Sequence, residues 1–151
     1  MVSKGLSARL IARTGQSVQY ADGTSSTLKF HSKSDAAGIL PINPNNIEEG
    51  YVYVANSEEP DGKGGVYGIY FDKDGSVLEY KALLTRTTDN CGGGITPWNS
   101  WVSCEEYSKG QCWQVDPKDE IEPQITKLGG SGGRYESVAV DDRIPERPVR
   151  T

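Results

Sequence analysis

The chain of 151 residues carries a net charge of −5 and is 35% hydrophobic, which predicts one globular domain. Its charges are interspersed and acidic on balance, which argues against nucleic acid as a partner, because a phosphate backbone is bound by basic patches. The 18 glycines and 8 prolines indicate many turns and favour an all-β fold.

The N-terminal segment, residues 1–29, is polar and has no clear periodicity. Residues 3–12 are compatible with a short helix, but Gly15 and the glycine and serine cluster at 23–26 favour a loop or weak strand. We therefore divide the chain into this segment and a main domain at residues 30–151. His31 is the one histidine of the chain and is interpreted as a solvated or packing residue.

Three strands are predicted next, at residues 50–55, 65–71 and 76–84. The first has apolar side chains on both faces, which is typical of a strand buried on both sides. The acidic turn at 72–75 lacks the remaining ligands of a calcium loop, so we predict a hairpin turn there. Short connections between the strands indicate an antiparallel meander.

Residues 89–106, which read DNCGGGITPWNSWVSCEE, carry the densest chemistry of the chain. Cys91 precedes three glycines, which permit positive φ and a close approach of the backbone to an ion or ligand. The stretch ends on two adjacent carboxylates, Glu105 and Glu106. A thiolate suits iron or zinc and carboxylates suit calcium, so this stretch is able to hold metal ions. The alternative is a tight turn before a strand that ends on solvated glutamates.

Further strands are predicted at 110–116, 120–128 and 135–140, with a glycine-rich loop at 129–133. Cys104 and Cys112 flank a turn at 107–110 and face each other across the predicted hairpin. An oxidising compartment would allow them to pair and a reducing one would not, so the sequence leaves the disulfide open. Cys91 would then be the odd thiol.

The central motif, NCGGGITPW followed by WVSCEE, resembles the signature of PhoX-type alkaline phosphatases. Two shorter matches flank it in the expected order, YVYVANSE upstream and GRYESVAVD downstream. The resemblance extends from about Phe30 to Pro148. It implies a β-propeller phosphomonoesterase with iron and calcium at the propeller axis, and therefore a phosphomonoester as substrate.

The resemblance also implies roles for individual residues. Cys91 would be an iron-bridging thiolate and, with Glu106, a catalytic residue. The implied metal ligands are Glu58, Cys91, Glu105 or Glu106, and Glu136. Because neighbouring residues of a strand point to opposite faces, we expect one of the paired glutamates to reach the metals, and we favour Glu106.

Weaker implications concern Asp35 as a calcium ligand and Arg134 as a clamp for the substrate phosphate. The chain departs from many bacterial relatives in having Ser57 in place of a histidine, and in a shorter segment without a histidine before Glu136. Taken singly, each glutamate is also compatible with a solvated surface carboxylate, and Arg134 with a surface arginine.

The predicted strands amount to roughly three blades, whereas a closed propeller needs at least four. We therefore expect a partial propeller from a longer protein, with low activity alone. The alternatives are a non-catalytic remnant or calcium-binding module, and another calcium-dependent propeller hydrolase of the lactonase type. Calcium-only sites use oxygen ligands, so the thiolate argues against the lactonase type.

Relatives in the family are typically exported. The first residues of this chain lack the apolar run of a signal peptide. No stretch approaches the roughly 20 apolar residues of a membrane span.

Overall fold

A computed structural model describes residues 3–128 and 130–143. The described residues form an all-β structure with one short 3-10 helix at Ile47–Glu49, so the predicted fold class is confirmed. In chain order the strands are β1 Ser17–Gln19, β2 Ser25–Lys29, β3 Ser34–Pro41, β4 Tyr51–Ser57, β5 Gly64–Phe71, β6 Val77–Thr87, β7 Asn90–Ile95, β8 Trp101–Glu105, β9 Cys112–Val115 and β10 Gln124–Ile125. The predicted domain also includes residue 129 and residues 144–151, which lie outside the described residues.

The strands form three antiparallel sheets, and each sheet follows chain order. The first sheet pairs β1 with β2, the second runs β3-β4-β5-β6, and the third runs β7-β8-β9-β10. Because neighbours in sequence are neighbours in the sheet, the second and third sheets are four-stranded meanders. Roughly three blades were predicted; the described strands supply two four-stranded sheets and one pair, and they do not close into a ring.

The main core lies between the second and third sheets. Val52 and Val54 of β4 are fully buried and belong to the same cluster as Trp101 and Val115 of the third sheet. The other face of the second sheet carries Ile69, Phe71 and Tyr80, against which other tyrosines of the sheet pack. The second sheet is therefore buried on both faces, as its apolar pattern predicts.

The N-terminal segment covers the outer face of the second sheet. Val18 of β1 has no exposed surface and packs with the cluster that contains Ile69 and Phe71. Residues 3–12 form no helix, and β1 and β2 provide the weak strands that the sequence suggested. The segment therefore completes a hydrophobic layer.

The glycine run forms strand β7 and adopts no left-handed conformation, so the positive φ that glycine permits is not used here. The predicted close approach is correct, although the neighbours are parts of the protein itself. A Cβ atom on Gly92 would overlap the carbonyl of Glu136, and one on Gly94 would overlap the carbonyl of Val138. The glycines are needed because another stretch of backbone crosses this strand closely.

Two of the predicted strands differ from the structure: one is shorter than predicted and the other is absent. The strand predicted at 120–128 is limited to Gln124–Ile125. The strand predicted at 135–140 does not form, because these residues pack across the glycines of β7 and do not extend a ladder. Nearby, Arg134 makes an isolated antiparallel bridge with Glu106.

Cys104 and Cys112 lie directly opposite each other on β8 and β9 and form a disulfide, with Cα atoms 4.1 Å apart. Cys91 is the free cysteine. The turn predicted at 72–75 is confirmed, because the Asp72 carboxylate accepts hydrogen bonds from the backbone nitrogens of Asp74 and Ser76. In the part of the chain that the structure describes, no helix has the length and apolar character needed to cross a membrane.

Candidate metal centre

The second and third sheets begin in the same way. In the second sheet, Ser34 pairs with Ser57, and the next pair is Ala37 with Ala55. In the third sheet, Asn90 pairs with Glu105, and the next pair is Gly93 with Ser103. In each case two residues of the first strand oppose one residue of the second, which is a β-bulge.

This shared register gives the candidate ligands equivalent positions. Asp35 and Cys91 are the first bulged residues of β3 and β7. Glu58 and Glu106 are the residues that directly follow the paired ends of β4 and β8. Because a bulge redirects a side chain out of the ladder, each sheet presents one bulge residue and one glutamate at the same end.

Three of these side chains meet. The ligand atoms of Asp35, Glu58 and Cys91 all lie within 4.8 Å of one another. Asp35 is exposed, whereas Glu58 and Cys91 are partly buried. The second sheet supplies two of the groups and the third sheet supplies the thiol, so the cluster forms only when the two sheets pack together.

The cluster is electrostatically crowded with acidic groups. Burial, followed by the carboxylates of Asp35 and Glu106, raises the pKa of the Cys91 thiol to about 12. Burial is also the largest cause of the raised pKa of Glu58, and the carboxylates of Asp35, Glu106 and Asp89 add to it. Lys33 opposes this effect. Such mutual repulsion is the property that a bound cation would relieve.

Glu105 and Glu106 occupy different environments. Glu105 is 4% exposed, and its Oε1 accepts a hydrogen bond from the backbone nitrogen of Thr88 at 2.7 Å. Its Oε2 accepts hydrogen bonds from the backbone nitrogen of Gln111 at 2.9 Å and from Trp113 Nε1 at 3.3 Å. Both oxygens are used within the third sheet, whereas Glu106 is the glutamate that lies beside Cys91.

Residues 73–147, about half of the chain, match the family model described as alkaline phosphatase PhoX. Over these residues the chain belongs to the PhoX family. The sequence resemblance was expected from about Phe30, and the match begins later. No significant match was found among curated proteins or among solved structures.

The PhoX match covers Cys91 and Glu106 but not Asp35 and Glu58. The shared β-bulge therefore supplies independent support for the half of the cluster that lies before residue 73. Asp89, the first residue of the central motif, was not singled out from the sequence. Its carboxylate helps to raise the pKa of Glu58, and its backbone carbonyl accepts a hydrogen bond from the Glu106 nitrogen at 2.8 Å.

Two PhoX-derived site predictions fall at the margin of the cluster. Glu136 has an exposed side chain and is outside the group formed by Asp35, Glu58 and Cys91, while its backbone packs on Gly92. Arg134 is exposed, and its backbone pairs with Glu106. The roles of these two residues stay predictions.

His31 is a packing residue of this PhoX-family chain. It is 7% exposed, stacks on Tyr67 with ring centroids 4.7 Å apart, and contacts Tyr80 Oη and Ser34 Oγ through its two ring nitrogens. The sequence left two interpretations of His31, a solvated residue or a packing residue, and the packing residue is correct.

Proposed function

We propose that this chain contributes a metal centre for the hydrolysis of phosphomonoesters. The observation that carries the proposal is the meeting of Asp35, Glu58 and Cys91, with Glu106 beside them, at one end of two packed sheets. The PhoX family match supports the same chemistry.

The donor set fits a mixture of metals. The Cys91 thiolate suits iron, and the carboxylates of Asp35, Glu58 and Glu106 suit calcium. Burial, together with the carboxylates of Asp35 and Glu106, raises the pKa of Glu58 and of Cys91, as expected for groups arranged around positive charge. Iron and calcium bound here would neutralise the phosphoryl oxygens and stabilise the charge that develops during hydrolysis.

The protein residues hold and orient this centre. Cys91 lies on β7, an edge strand of the third sheet, and its thiolate would hold iron there. Glu58 and Glu106 approach from the two sheets at equivalent positions and would bind as carboxylates. Arg134, whose backbone pairs with Glu106, would pair with a substrate phosphate at the edge of the centre.

The four candidate ligands fill only part of a coordination shell, because calcium takes about six to eight oxygen ligands. These candidates are Asp35, Glu58, Cys91 and Glu106. We therefore propose that the 151-residue chain binds metals weakly and has low phosphatase activity alone. The second candidate, a calcium-binding module without catalysis, is favoured by the position of Glu136 outside the group of three.

The test is to purify the chain without metal, add ferric iron and calcium, and measure hydrolysis of p-nitrophenyl phosphate. We expect slow turnover that a chelator abolishes, that returned metals restore, and that Cys91→Ala removes. Glu122→Gln is the matched control, because Glu122 is exposed and does not belong to the cluster. Hydrolysis that survives the chelator or Cys91→Ala would overturn the proposal. Metal binding with no turnover would favour the calcium-binding module.

A further inference from the structure

A fully buried amide connects the two halves of the metal centre. Asn56, on β4, has no exposed surface. Its Nδ2 donates hydrogen bonds to the backbone carbonyls of Cys91 at 2.9 Å and Gly92 at 2.8 Å. Its Oδ1 accepts a hydrogen bond from Trp101 Nε1 at 2.9 Å. Both donors of the amide are used, and the indole N–H fixes which end of the amide carries the oxygen.

We propose that Asn56 is a positioning residue that sets the place of the Cys91 thiol relative to Glu58; the inference rests on the proposed metal centre. Asn56 lies two residues before Glu58 on the same strand end, and it holds the peptide of Cys91 directly. One side chain therefore fixes the distance between a ligand of the second sheet and a ligand of the third.

The backbone of Cys91 has little freedom to compensate for a change at Asn56. On its other side, Gly92 packs against the backbone of Glu136 so closely that even a Cβ atom would not fit. The bulge carrying Cys91 is consequently held between the Asn56 amide and that backbone. A shift of either support moves the thiol.

The substitution Asn56→Asp tests the positioning role, because the two side chains have nearly the same shape. The aspartate carboxylate has no N–H to donate, so two carbonyl oxygens would face an acceptor and be repelled. The matched control is Tyr70→Phe, because Tyr70 Oη donates a buried hydrogen bond of 2.6 Å to the Pro117 carbonyl. That bond also links β5 of the second sheet to the chain after β9, but it does not involve Cys91 or Glu58.

The experiment titrates the metal-free chain with cobalt(II) and follows the absorption of the cobalt–thiolate bond. We expect Asn56→Asp to weaken cobalt affinity at least tenfold and to change the absorption band, and Tyr70→Phe to leave both within twofold. Urea unfolding of each variant shows how much stability each one loses. Asn56→Ser, which keeps one hydroxyl donor, gives the result if Asn56→Asp does not fold, and we expect an intermediate loss of affinity.

Two failures are distinguishable. If the wild-type chain shows no absorption that depends on Cys91, with Cys91→Ala as the reference, the metal centre itself is wrong, and this inference is wrong with it. If the wild-type chain binds cobalt through Cys91 but the Asn56 variants bind within twofold of it, the positioning role alone is overturned. The same conclusion follows if Tyr70→Phe loses as much affinity as the Asn56 variants.

Discussion

His31 is a neutral side chain in the interior of the folded protein. It lies between Phe30, Tyr67 and Tyr80, and burial lowers its pKa to about 4 from the ordinary value of 6.5. The unfolded chain therefore binds more protons than the folded chain between these two pKa values. The stability contributed by this difference is complete above pH 6.5 and decreases as the pH falls towards 4.

We expect the free energy of unfolding to fall by about 2 kcal/mol between pH 7 and pH 5 because of His31. The measurement is urea unfolding of the metal-free chain at both pH values, with His31→Gln as the comparison. The variant should be less stable at pH 7 but should lose much less stability on acidification. Equal losses in the two proteins would mean that His31 keeps an ordinary pKa.

Strand β7 is the element that contributes both to the proposed metal centre and to the packing of the C-terminal part. Its bulge carries Cys91, and its glycines allow residues 136–138 to cross it at backbone contact. An ordinary side chain would force these two stretches of backbone apart. The motif is therefore restricted by packing at the glycines that directly follow the thiol.

We expect Gly92→Ala to destabilise the chain by about 2 kcal/mol or more, because the methyl group meets a carbonyl that cannot move away as a side chain would. Gly130→Ala is the control, since a Cβ atom there meets nothing closer than the Lys127 carbonyl at 3.7 Å and the backbone is not left-handed. Thermal and urea unfolding of both variants measure the difference. Similar stabilities would show that the crossing is looser than described.

Three of the four strands of the second sheet were predicted from local sequence, because β4 and β5 carry apolar residues on both faces and end at clear turns. Strand β3 was not predicted. The conformation of the glycine run was not predictable, since glycine permits both left-handed and extended backbone, and pairing with β8 and the crossing at Glu136 are known only from the structure. The missing strand at 135–140 has the same origin, because an apolar stretch does not reveal which surface it will cover.

Within the proposed centre, the chemical types of the candidate ligands were visible in the sequence, but their grouping was not. Asp35 and Cys91 are far apart in the chain and become equivalent only through the pairing of β3 with β4 and of β7 with β8. Asn56 gave no signal of its own, since its role depends on the packing of one sheet against another. The registers that relate Asp35 to Cys91 are known only from the structure.

At the scale of the whole molecule, the N-terminal segment closes the outer face of the second sheet. Deleting residues 1–29 would remove fully buried Val18 and uncover Ile69 and Phe71. Burial of one such side chain stabilises by about 1.5–3 kcal/mol, so the deletion should lower the free energy of unfolding by at least about 2 kcal/mol.

The deletion should also increase the binding of a dye that recognises exposed apolar surface. Deleting residues 1–8 is the control, because residues 3–8 are exposed, and we expect little change in stability or dye binding. A chain without residues 1–29 that unfolds at the same urea concentration as the intact one would show that the segment contributes no packing energy.

The free thiol and the disulfide of this chain have a consequence for its maturation. Three cysteines allow three pairings, and a thiolate is the species that attacks a disulfide and rearranges it. With a pKa of about 12, the Cys91 thiol of the folded chain is ionised at neutral pH only to the order of 10⁻⁵. Burial and the acidic neighbours of Cys91 therefore slow its attack on the Cys104–Cys112 bond, so that the correct pairing persists in the folded chain.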